Sequence, residues 1–244
     1  FEISSIKKGE KVSWRTNSLA LSLRNMGRRF GLNSFLMSFV SSRPYEDKFN
    51  KALLSCVKRN DVVWDVGANI GHYTRLFADL TGLQGKVFAF EPSSQNYNRL
   101  ALNLKGIENV FLFPYGLGDK EEIVFFKQGD DELGATSQVL EGVALESWYD
   151  QVEIRCGDRL VEFGSVGLPN LVKIDVEGFE LQALQGCEQT LSVHKPVIAM
   201  EVLKSDMRNG GSAALDYLVL HGYNFKYSIQ EASSFWGKHE AISR

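Results

Sequence analysis

The chain has 244 residues, enough for one domain with an appendage. At 44% hydrophobic and 23% charged residues its composition is that of a globular protein, and no apolar run approaches bilayer-spanning length. The net charge of −3 hides an asymmetry. Residues 1–60 carry twelve Lys+Arg against four Asp+Glu, giving +8, and residues 61–244 carry fifteen against twenty-six, giving −11. The basic segment reads first as a solvated helical face and second as a surface for an acidic acceptor, carrier protein or anionic lipid. Its aromatic–basic interleaving is too weak to argue for nucleic acid. Three scattered cysteines (Cys56, Cys156, Cys187) show neither metal nor redox spacing, which points to a reducing, cytoplasmic setting. No signal-peptide pattern opens the chain. The start at Phe1 rather than Met suggests a chain cut from a longer one, so a targeting signal could precede it.

In chain order, residues 17–40 read as one or two short helices, and 46–58 as an amphipathic helix with Phe49, Ala52, Leu53, Cys56 and Val57 on one face. After Asn60 strand and helix alternate. Strands are expected at 61–66, 86–91, 109–114, 170–175 and 196–202, and helices at 70–80, 94–104, 178–191 and 211–221. The connections are long enough for crossovers, so the sheet should be mostly parallel. The span from Asp119 to Pro169 holds strand-like EIVFF (122–126) and VEIRC (152–156) and reads as a β insertion. YNFKYSI (223–229) and a weaker run near 234–242 are expected to pair as a terminal antiparallel hairpin.

Four motifs carry chemistry. In VVWDVGANIGHYT (62–74) a buried-strand run ends in Asp65 and enters a Gly-Ala-Asn-Ile-Gly turn that opens a helix. Small residues let backbone approach a nucleotide, and the helix N-terminus supplies free N–H groups. The pattern is G-x-N-x-G, not the G-x-G-x-x-G of dinucleotide binders. In FAFEP (88–92) the strand-end acid Glu91 offers two acceptor oxygens, which suits the vicinal diol of a ribose. In LVKIDVEGFE (171–180) an apolar strand interrupted by Lys173 ends in Asp175 and Glu177, followed by a helix whose first turn Glu180 favours electrostatically. PVIAMEV (196–202) brings Glu201 to the next strand end. Several acids on one rim suit a cationic ligand such as S-adenosylmethionine and would repel the pyrophosphate of NAD. Two rival readings stand beside this one: an NAD-dependent oxidoreductase, and a non-catalytic methyltransferase-like binding domain.

The chain resembles the FkbM family of S-adenosylmethionine-dependent methyltransferases. The resemblance rests on VVWDVGANIGHYT, FAFEP, GLGD (116–119) and LVKIDVEGFELQALQG (171–186), with PVIAMEV and HGY (221–223) in the same order. It implies an α/β fold, a Rossmann-like class I methyltransferase sandwich whose seven-stranded, mostly parallel sheet ends in the antiparallel hairpin. The β insertion precedes the fourth strand. Residues 1–59 would form an N-terminal helical extension or lid and residues 60–244 the methyltransferase domain.

The implied activity is methyl transfer from S-adenosyl-L-methionine to a hydroxyl oxygen of a sugar or secondary metabolite, including polyketides or carrier-tethered acceptors. By motif position Asp65 and Gly67 line the methionine end, Asn69 and Gly71 shape the turn, and Thr74 offers its hydroxyl. Glu91 holds the ribose, and Leu117, Gly118 and Asp119 approach the adenine edge. An alcohol is a poor nucleophile while protonated, so a base is expected: Asp175 or Glu177, with His72 third, since a helix N-terminus favours the neutral imidazole. No spacing demands a divalent metal, although Asp175, Glu177 and Glu201 could hold one.

Overall fold

The computed structural model describes residues 44–127, 149–176, 178–203, 212–230 and 238–243, all within one compact unit, Arg43–Arg244. The helices expected at 17–40, the polar middle of the β insertion and Glu177 lie outside the described residues, as does the Glu201 side chain.

Helix α1 (Pro44–Ser55) opens with proline at its first position, where the missing N–H costs nothing. Strand β1 (Val62–Val66) leads through the glycine turn into α2 (His72–Thr81). Strand β2 (Lys86–Phe90), helix α3 (Ser94–Asn103) and strand β3 (Val110–Phe113) complete the first half of the sheet. The insertion follows as β4 (Gly116–Leu117), β5 (Glu122–Lys127) and β6 (Tyr149–Arg155). Helix α4 (Gly157–Glu162), strand β7 (Leu171–Ile174) and helix α5 (Glu180–Gln185) come next, and a π-helical turn, Thr190–His194, leads to β8 (Val197–Leu203). Helix α6 (Ala213–Leu220) and strands β9 (Phe225–Gln230) and β10 (Lys238–Ser243) end the described chain.

The main sheet has the order β3-β2-β1-β7-β8-β10-β9. Parallel ladders join its first five strands, and antiparallel ladders attach β10 to β8 and β9 to β10, as the hairpin expectation required. The insertion forms a sheet of its own, β4-β6-β5, with β5 and β6 antiparallel.

Alternation along the strands divides the core between the two faces of the sheet. Trp64, Val66, Phe90, Val172, Ile174, Ile198 and Met200 pack with Leu160, Leu184, Leu191 and Leu218 on one face. Val63, Val87, Leu171 and Ala199 pack with Phe77 of α2 and with Phe49 and Leu53 of α1 on the other. Helix α1 is therefore part of the core of this unit, which begins before residue 60. Strand order reverses between β1 and β7, and in open α/β sheets the crevice beyond the strand ends at such a switch is where ligands bind.

Candidate cofactor and catalytic site

Strands β1, β2 and β7 deliver their C-terminal residues to this switch point, and the register decides which side chains meet. Asp65 is paired with Ala89 on one side and Lys173 on the other. Paired positions of neighbouring strands share a face, so the Asp65 carboxylate and the Lys173 ammonium are set together on the α2 side of the sheet. Asp65 is fully buried. Its Oδ2 accepts the Thr74 hydroxyl at 2.6 Å, and its Oδ1 lies 3.3 Å from Lys173 Nζ.

Lys173 was visible in the sequence only as an interruption of an apolar strand. In the structure it is the centre of the site. Its ammonium stands 3.5 Å from Asp175 Oδ2, 3.4 Å from the Gly67 carbonyl oxygen and 5.1 Å from the centre of the Tyr73 ring. Burial opposes its charge, but Asp65, then Asp175 and Tyr73, raise its pKa above the ordinary lysine value, so it stays protonated. The acidic rim expected from the sequence is thus partly neutralised from below: two of its acids share one buried cation.

The turn is shaped by its backbone. The Gly67 and Ala68 amides both donate to the Phe90 carbonyl at 3.0 Å, tying the turn to the end of β2. Gly67 has φ +79°, and a Cβ there would lie 2.0 Å from the Asp175 carbonyl oxygen, so only glycine fits. Asn69 is left-handed (φ +51°), and its amide donates to Glu91 Oε2 at 2.8 Å. The Asn69 side-chain oxygen is buried with no hydrogen-bond partner among the described residues. Gly71 caps α2 in the left-handed conformation, which starts the helix beneath the turn.

Glu91 is 5% exposed and takes a second backbone N–H, from Ser93, on Oε1 at 2.9 Å. Each of its oxygens accepts one bond and keeps a lone pair free. Burial pushes its pKa up to about 6, against the opposing pull of the Ser93 and Asn69 amides; Asp65 adds to the rise and Lys173 opposes it. Asp175 closes β7 with about a third of its side chain exposed, the most open of the three acids named so far. His72 is exposed on the first turn of α2 with its ring edge-on to Tyr73. Desolvation lowers its pKa, with Asp65 acting against that shift and Lys173 with it, so the neutral ring is favoured.

The structure therefore gathers Asp65, Gly67 and Asp175 around Lys173, with Thr74 bonded to Asp65 and Asn69 bonded to Glu91. Leu117 is instead buried in the core, and Gly118 is pressed against Ile154 and Phe179, while Asp119 is exposed. Glu180 folds both carboxylate oxygens onto the Gly178 amide at 3.0 Å, closing the turn that follows β7. Tyr73 went unnoticed in the sequence. Its hydroxyl donates to Asn50 Oδ1 at 2.5 Å, linking α1 to the floor of the site. Among the described residues no group of three or more His, Cys, Asp or Glu stands together as a metal site, and no helix is long and apolar enough to cross a membrane.

A parallel sheet in this order, with an acid-closed glycine turn at its switch point, is the class I methyltransferase fold. A family model described as the methyltransferase FkbM domain matches residues 65–227, and the chain belongs to that family. The hexuronic acid methyltransferase AglP of Haloferax volcanii is 34% identical over 142 residues, covering 58% of this chain and 56% of that protein. The chain spans about half the length of the curated relatives it matches. Among solved structures, the methyltransferase FkbM from Methylobacillus flagellatus aligns with a TM-score of 0.51 at 17% identity, covering 75% of this chain and 43% of that one. Aeropyrum pernix fibrillarin, solved with natively bound S-adenosyl-L-methionine, aligns at 0.50 and 13% identity, covering 77% of this chain and 67% of that one. These two likenesses concern the fold.

Proposed function

We propose that this chain is an S-adenosylmethionine-dependent O-methyltransferase whose acceptor is a hydroxyl of a sugar. The observation that carries the reading is the pairing of Asn69 with Glu91. A buried carboxylate, fixed by two backbone N–H groups and left with one free lone pair on each oxygen, is built to accept a vicinal diol. The buried Asn69 side-chain oxygen adds an acceptor for a donor of the ligand, such as its ammonium. The residues thus fit the cofactor: Glu91 would hold its ribose, and Gly67 and Asn69 its amino-acid end. Asp65 and Thr74 would support the turn from below.

When bound, the cofactor supplies an activated methyl group for in-line displacement by an oxygen. The protein must hold the acceptor hydroxyl in line and take its proton. Asp175 is the preferred base, because it is the most exposed of the three acids Asp65, Glu91 and Asp175 and stands at the end of β7 beside the switch point. His72, with its neutral ring favoured, is the second candidate, and Glu177, two positions after Asp175 in the sequence, is the third. The sugar acceptor is supported by the 34% identity to a hexuronic acid methyltransferase.

The test is incubation with S-adenosylmethionine and a panel of sugars that includes free and glycosidically linked hexuronic acids. Released S-adenosylhomocysteine and a mass gain of one CH₂ unit are measured together. A hexuronic acid offers both hydroxyls and a carboxylate, so mild base treatment separates the products: an ether survives and an ester reverts. A base-stable product supports the reading. A base-labile product, or turnover confined to non-sugar acceptors, contradicts it.

A further inference from the structure

We infer that Lys173 is a positioning residue that ties the cofactor turn to Asp175. The inference rests on the methyl-transfer reading of the site.

An ammonium has three hydrogens to donate. Three oxygens surround Lys173 Nζ, and each belongs to a different part of the site: Asp65 Oδ1 at the end of β1 (3.3 Å), the Gly67 carbonyl in the turn (3.4 Å) and Asp175 Oδ2 at the end of β7 (3.5 Å). The Tyr73 ring faces the same nitrogen. The three oxygens about Lys173 Nζ all belong to the protein, so its influence passes through these partners.

A simpler role would be charge balance for Asp65, since a buried carboxylate without a cation is costly. That role explains one of the three contacts. It does not explain why the same nitrogen also reaches a backbone carbonyl of the turn and the more open acid across the switch point. Only the Gly67 contact has hydrogen-bond geometry; the contacts with Asp65 and Asp175 are ion pairs, and the buried Asp65 Oδ1 has no hydrogen-bond partner among the described residues.

Comparing Asp65→Asn with Asp65→Asn/Lys173→Met separates the two roles, because neither variant leaves a buried acid at position 65 without a partner. If Lys173 only balances Asp65, Asp65→Asn leaves the buried ammonium short of its counter-ion, so the double variant should keep the same kcat and its amides should exchange equally or more slowly. If it positions, the double variant should lose between about tenfold and a hundredfold in kcat with acceptor KM little changed. Its amides at 67–71 and 175–178 should also exchange faster while its melting temperature stays close to that of Asp65→Asn. Equal or slower exchange in the double variant overturns the inference even when methyl transfer is active. Faster exchange supports it even when no acceptor is methylated, in which case the functional reading alone has failed. A further measurement needs no folded double variant: the ¹⁵N resonance of the Lys173 ammonium should move on Asp175→Asn, and an unchanged resonance overturns the inference.

Discussion

The Asn69 amide donates to Glu91 Oε2 at 2.8 Å, so the turn after the first strand and the acid closing the second are one hydrogen-bonded unit. The Glu91 pKa of about 6 then has a direct consequence. Only the ionised carboxylate can accept both ribose hydroxyls. Protonation replaces an acceptor site with a donor, so cofactor affinity should weaken as pH falls through this value. Binding in turn favours the ionised form and draws the pKa down. Calorimetric Kd values on either side of pH 6 should show the loss and an accompanying proton release at the acid end.

Replacing Gly67 should be among the costliest single changes in the turn. Alanine would need φ +79° and would drive a methyl group into the Asp175 carbonyl. Backbone strain and the clash together should cost about 2 kcal/mol or more, read from chemical unfolding. Cofactor binding should fall in parallel, because relieving the clash separates β1 from β7.

Leu53→Ala tests whether α1 belongs to the core. Leu53 is fully buried against a cluster containing Val63, Phe77 and Leu171. The truncation should cost about 2–5 kcal/mol of unfolding free energy. A loss of a few tenths of a kcal/mol would mean that α1 is a detachable cover.

The sheet was legible because its central strands are buried on both faces, and such strands read as continuous apolar runs closed by an acid. The amphipathic face of α1 was equally plain, as were the two strands of the insertion. The helix expected across 178–191 fails at Gly186. There a Cβ would lie 2.0 Å from the Gly118 carbonyl oxygen, so close approach of the chain just after β4 requires glycine, and that glycine caps α5. The short α4 is likewise a product of tertiary contacts: its Asp158 accepts the Gln189 and Thr190 amides. In the site, Glu91 and the glycine turn were readable from spacing. Lys173 was readable as an anomaly, but not its partners, because Asp65 becomes its neighbour only through the register of β1 with β7.

Asp175→Asn should separate binding from chemistry. The substitution leaves Lys173 paired with Asp65, so no buried charge is orphaned and the fold should hold. Loss of the base should lower kcat by roughly 10²–10⁴-fold while cofactor affinity is little changed. Full turnover in this variant would pass the role to His72 or Glu177.

Titration calorimetry of S-adenosylmethionine against the wild-type chain and Glu91→Ala tests the central claim most directly. The wild type should bind and the variant should bind about tenfold to a hundredfold more weakly, the loss of hydrogen bonds to a charged acceptor. No binding by the wild type, or equal affinity in the two proteins, would contradict the account.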